Sequence, residues 1–118
     1  MQDLINTLKA LSDETRLRIM NILLERECCV CEVMQVLGIS QTRASRNLNI
    51  LYDAGFLKLR KEGLWVYYSI DKADLEESLS LLLNAVERSL IENKLANLDR
   101  ERLKDAQRLG PQCCNSSL

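Results

Sequence analysis

Histidine is absent from these 118 residues and proline occurs once. Without an imidazole there is no Cys–His or Ser–His pair for nucleophilic catalysis, and no Cys2His2 finger. Four glycines and an aromatic content of 4% argue against a β-sandwich, whose many turns need more of both. No apolar run approaches the roughly 20 residues that span a bilayer, and no basic-then-apolar leader opens the sequence. The expected location is therefore the cytoplasm, with no membrane partner. What is present, 47% hydrophobic and 28% charged residues, suits one folded, mostly helical domain. A domain of this size buries only about two-thirds of the surface its unfolded chain exposes, so a second subunit would help it.

The net charge of −1 hides an uneven distribution. Residues 1–40 and 66–118 each sum to −2, whereas 41–65 sum to +3 through Arg43, Arg46, Lys58, Arg60 and Lys61. A positive island in an acidic chain is a candidate contact for a polyanion, although a solvated face would look the same.

The five cysteines form two clusters, Cys28, Cys29 and Cys31, then Cys113 and Cys114. An odd count without a leader argues against a disulfide framework. Three thiols within four residues are soft ligands, suited to thiophilic ions rather than Mg2+ or Ca2+. Buried free cysteine can also act as a small hydrophobe. Cys28 and Cys31 spell C-x-x-C, but without the βαβ context of a thioredoxin-like site.

Helical spacing of Leu4, Ile5, Leu8 and Leu11 predicts a first helix, and Ser12 or Asp13 caps a second that ends near Arg26. A short third helix, about 31–37, stops at Gly38. Ser40 caps a fourth that reaches about Ala54, with Ala44, Leu48 and Leu51 inward and Thr42, Arg43, Arg46, Asn47 and Asn49 outward. Two helices joined by a short Gly-containing turn, the second with an Arg-rich outer face, form a helix-turn-helix pattern. The next segment, Phe56 to Ile70, is β-like and split by Lys61-Glu62-Gly63, so it predicts a hairpin, or wing, with a basic tip. Trp65, Tyr67 and Tyr68 could stack on single-stranded bases, but strand packing is the favoured role. From Asp71 as N-cap, one helix is expected to run to about Arg108. At about 1.5 Å per residue it would be roughly 50 Å long and need a second chain to cover its apolar stripe. The expected architecture is mostly α with a small β-hairpin: a winged helix-turn-helix over 1–110, dimerising through its first and last helices, and a Cys-containing tail over 111–118.

The stretch from Leu8 to Ser69 resembles the arsenical-resistance repressors of the ArsR/SmtB family. LKALSDETRLRIMNIL is similar to that family's opening helices, ECCVCEV to its metal box, SQTRASRNLNILYDAGFL to its recognition helix and RKEGLWVYYSI to its wing. The resemblance implies a homodimeric repressor, not an enzyme. It would bind double-stranded operator DNA when metal-free and release it on binding As(III) or Sb(III), with no other cofactor required. The family's paired ligands fall on Cys29 and Cys31. Where some members have a third box cysteine this chain has Met34, a poor As(III) ligand, so the third thiolate is expected from Cys28, Cys113 or Cys114. The zinc-sensing branch needs histidine, which is missing. The cadmium/lead branch adds cysteines from an N-terminal extension, which is not expected here because the sequence starts close to the first helix, so As(III) and Sb(III) are the leading expected effectors. A Cd(II)/Pb(II)- or redox-responsive repressor and a thiol-based metal carrier are the alternatives. The expected DNA contacts are Ser40, Gln41, Thr42, Arg43, Ser45, Arg46, Asn47 and Asn49 on the recognition helix, with Arg60, Lys61 and Gly63 on the wing. Of these, Arg46 is the expected base reader and Lys61 an expected phosphate contact.

Overall fold

Caps and glycines set most of the element boundaries. The computed structural model describes residues 1–108. Helix α1 (Gln2–Leu11) is followed by Asp13, whose carboxylate accepts the Arg16 amide at 3.0 Å and starts α2 (Glu14–Leu23). Helix α3 (Val30–Leu37) stops at Gly38, which takes the left-handed φ of 67°. Two residues later Ser40 caps α4 (Gln41–Asp53) by accepting the Arg43 amide at 3.2 Å. Strands β1 (Lys58–Glu62) and β2 (Trp65–Ser69) pair antiparallel, in register from Lys58 opposite Ser69 to Glu62 opposite Trp65. Their two-residue turn places Gly63 at φ 62°, a conformation that disfavours any side chain. The core lies between α2, α3, α4 and the hairpin, with Ile19, Met20, Val33, Leu48, Phe56 and Tyr68 fully buried. These elements form the winged helix-turn-helix.

The segment after the hairpin departs from expectation. A single helix from Asp71 to Arg108 does not form. Asp71 instead caps a 3-10 turn (Lys72–Asp74), and two helices follow, α5 (Glu77–Leu90) and α6 (Lys94–Asp105). The break has three causes. Asn93 is an N-cap that accepts the Ala96 amide at 2.9 Å. Arg100 reaches back to the carbonyls of Leu90 and Ile91, at 3.2 and 3.1 Å, and so satisfies the end of α5. Finally, α6 has its own partners on α2: Arg18 grips Asp99, and the Asn21 side chain donates to the Ala96 carbonyl at 3.0 Å. Ala96, Asp99 and Leu103 are accordingly buried by the same chain. The apolar surface left open is shorter than a 50 Å stripe; it includes Leu4, Ile5 and Leu8 on α1 and Leu81 on α5.

Candidate metal centre and nucleic-acid interface

Residues i and i+2 of a regular helix project about 200° apart, so Cys29 and Cys31 could not face each other inside one. Here Cys29 is the N-cap of α3, with extended φ −87° and ψ 170°, and Cys31 is the second residue of the helix. That change of backbone swings the two sulfurs together, 2.7 Å apart. The separation exceeds the roughly 2.05 Å of a disulfide, and neither cysteine is disulfide-bonded among the described residues. Glu32 holds the geometry: its Oε1 accepts the Cys29 amide at 3.0 Å while Oε2 pairs with Arg26 at 2.7 Å. Both cysteines and Glu32 are buried.

Cys28 is turned elsewhere. Its backbone forms an isolated antiparallel bridge with Tyr68, Cys28 N–H to Tyr68 O at 3.0 Å and Tyr68 N–H to Cys28 O at 2.9 Å. Its sulfur lies 3.7 Å from the Arg26 carbonyl oxygen, and burial pushes its thiol up to about 12. Among the described residues no three His, Cys, Asp or Glu side chains converge as a metal centre. The described residues thus bring two soft thiol sulfurs together at the start of α3, and Cys28 does not join them. Cys113 and Cys114, the other expected ligands, and the expected tail lie outside the described residues.

On α4 the exposed face carries Thr42, Arg43, Arg46 and Asn49, with Ser40 exposed at its cap and Gln41 half-buried. Arg46 makes no hydrogen bond or ion pair within the described residues, whereas Arg43 donates to Thr15 Oγ1 at 3.2 Å. Two of the expected contacts do not face outward. Asn47 is 8% exposed, accepts from Arg16 Nη1 at 2.9 Å and donates to the Arg43 carbonyl at 2.8 Å. It lies three residues after Ala44 and four before Leu51, within the buried stripe. Ser45 flanks that stripe, and its hydroxyl is buried without a partner among the described residues. On the wing, Lys61 and Gly63 are exposed at the tip. Arg60 is held by Glu27 at 2.6 Å and Glu62 at 2.6 Å and lies over the Tyr67 ring, 4.3 Å from its centroid. Tyr67 and Tyr68 are buried, so they pack rather than present faces for bases. The Glu27–Arg60 contact between box and wing was not legible in the sequence, since its partners lie 33 residues apart, whereas Glu32 stands three residues after Cys29, at capping-box spacing.

This arrangement defines a DNA-binding regulator of the winged helix-turn-helix class. Residues 13–59 match the bacterial regulatory protein, arsR family. The chain is 38% identical over 104 residues to the arsenic resistance transcriptional regulator ArsR2 of Pseudomonas putida, covering 83% of this chain and 90% of that protein. It belongs to the arsR family, whose members are regulators rather than enzymes. A cadmium resistance transcriptional regulatory protein CadC homolog of Staphylococcus aureus is 43% identical over 76 residues, which are 64% of this chain and 63% of that protein. The fold is similar to the homodimeric winged helix-turn-helix DNA-binding domain Mb0332 of Mycobacterium bovis. That match has a TM-score of 0.64 at 29% identity and covers 79% of this chain and 82% of that one.

Proposed function

We propose that the chain is a homodimeric repressor that binds operator DNA in its effector-free form and releases it when As(III) or Sb(III) binds Cys29 and Cys31. One observation carries the reading: two buried sulfurs 2.7 Å apart at the start of α3, the first helix of the helix-turn-helix. An ion that takes both sulfurs, and a third thiolate from Cys28, Cys113 or Cys114, acts on a segment one short turn from α4. The arsenic regulator of Pseudomonas putida supports this effector, and the cadmium relative makes Cd(II) the second candidate.

Homodimerisation rests on the open leucines of α1 and on the homodimeric neighbour. A dimer must present its two reading helices about 34–36 Å apart, so a small change at α3 in each half disturbs both contacts. Turning a mostly bound repressor into a mostly released one takes a differential affinity of roughly 5 kcal/mol, within reach of thiolate ligation.

The test is operator release followed by fluorescence anisotropy on the DNA just upstream of the gene, with arsenite, antimonite, cadmium and peroxide in separate titrations. Arsenite or antimonite should release the wild type and leave Cys29→Ser and Cys31→Ser bound. Release of both variants by arsenite would exclude this site, and release by cadmium or peroxide alone would exclude this effector. A chain that binds arsenite but never the DNA would be a metal carrier.

A further inference from the structure

The thiol site and the wing are joined by contacts that the helix-turn-helix does not need. The peptide of Cys28 pairs with Tyr68 of β2 by two backbone hydrogen bonds, at 3.0 and 2.9 Å, and so adds a one-residue strand to the wing. Next to it Glu27 takes Arg60 of β1 in a bidentate grip, Oε1 to Nη2 at 2.6 Å and Oε2 to Nε at 3.0 Å. Glu27 is two residues from Cys29, and Arg60 is one residue from Lys61 at the wing tip.

We propose that Glu27 is a positioning residue that carries effector binding from the thiol pair to the wing, by holding Arg60 only while the box keeps its effector-free path. The inference rests on the function proposed above and concerns the route of the signal. When the backbone at Cys29 shifts to suit an ion, Glu27 shifts with it, and the bidentate geometry, which needs both oxygens in the guanidinium plane, is lost. Arg60 does not become unpaired, because Glu62 on its own strand holds it at 2.6 Å. Release therefore costs the wing an anchor without burying a lone charge. Arg60 stays over Tyr67, 4.3 Å from the ring centroid, so what changes is the attachment of the strand to the box.

The test compares wild type, Glu27→Gln, Arg60→Gln and the double variant in two measurements. The first is the ratio of operator affinities without and with arsenite, alongside arsenite binding followed by thiolate-to-arsenic ultraviolet absorption. Both single variants should bind arsenite as the wild type does, yet lose about five-fold of that ratio, the upper range for a half-exposed ion pair. The double variant should lose no more than either single, because both cut one connection. The second is amide hydrogen exchange across residues 58–69 in arsenite-free protein, which should speed up in Glu27→Gln to the rate of the arsenite-loaded wild type. Wild-type release ratios in Glu27→Gln, or unchanged exchange in its wing, would overturn the proposal while leaving the effector site intact. A wild type that never releases DNA on arsenite would overturn the function, and the signal route with it.

Discussion

Arg18 and Asp99, 81 residues apart in sequence, form a bidentate ion pair: Nε to Oδ2 at 2.8 Å and Nη2 to Oδ1 at 2.9 Å. Asp99 has no exposure at all, so its charge depends on Arg18. This pair, rather than apolar area alone, folds α6 back on α2. Asp99→Ala removes one partner and leaves a guanidinium largely out of water, which should cost about 3–5 kcal/mol in urea unfolding. Replacing both, as Arg18→Met with Asp99→Leu, should cost distinctly less, because neither charge remains to be desolvated. Equal losses in the two variants would mean that the pair is not what anchors α6.

The same pair explains the limit of what the sequence discloses. Local signals were legible: Ser40 and Asp13 as caps, Gly38 as a stop, Gly63 at a hairpin tip, and the Ala44–Leu48–Leu51 stripe. The roughly helical spacing of Leu75, Leu79, Leu82, Val86, Leu90, Leu95 and Leu98, from which the single long helix was expected, was misleading because period reports which side of a helix is apolar, not where the axis turns. Asn93 is itself a cap residue and was the available sign of the break. The buried position of Asn47 followed from its spacing to Ala44 and Leu51, but its polar side chain pointed the other way. Its burial is made acceptable by Arg16, a partner that no local pattern reveals.

The raised Cys28 thiol makes stability fall at high pH. In the unfolded chain it should ionise near its ordinary 9.0, whereas in the folded protein burial keeps the proton on until about 12. Between those values the unfolded state binds fewer protons, so unfolding becomes easier as pH rises, and the stabilisation present below pH 9 is progressively lost. Three pKa units set an upper bound of roughly 4 kcal/mol. Cys28→Ala, compared with wild type by urea unfolding at pH 8 and pH 11, should flatten that part of the slope. Parallel slopes would mean that Cys28 ionises freely in the folded state.

Arg46 and Lys61 should separate by salt dependence. Arg46 is exposed on the middle of α4 and has no partner among the described residues, so it is available to a base edge. Arg46→Ala should cost about 1–3 kcal/mol of operator binding and relax the preference at one base pair. Lys61→Ala should weaken binding to all sequences alike and shallow the slope of log affinity against log salt by about one. Asn47→Ala, by contrast, should lower the unfolding free energy, because it strips Arg16 of an acceptor. A salt titration of the three variants, each with its unfolding curve, checks all of these outcomes. If Asn47→Ala changes base preference at full stability, α4 is presented to DNA on a different face.

Leu4, Ile5 and Leu8 leave α1 with 50%, 37% and 46% of their surfaces exposed, although they recur at helical spacing. Leu4 also lines an open groove of about 540 Å³ with Leu79 and Leu82 of α5, which places both helices on one face. Burying three such side chains against a second copy is worth several kcal/mol, at about 25 cal/mol per Å2 of apolar surface. A charge there must be desolvated on association. Leu8→Glu should therefore shift the protein from dimer to monomer in sedimentation equilibrium while leaving the helical circular dichroism unchanged, because the position is half-exposed in the single chain. Operator affinity should fall with the dimer fraction and recover as protein concentration rises, the signature of a linked assembly. A Leu8→Glu protein that stays dimeric would place the interface on another surface.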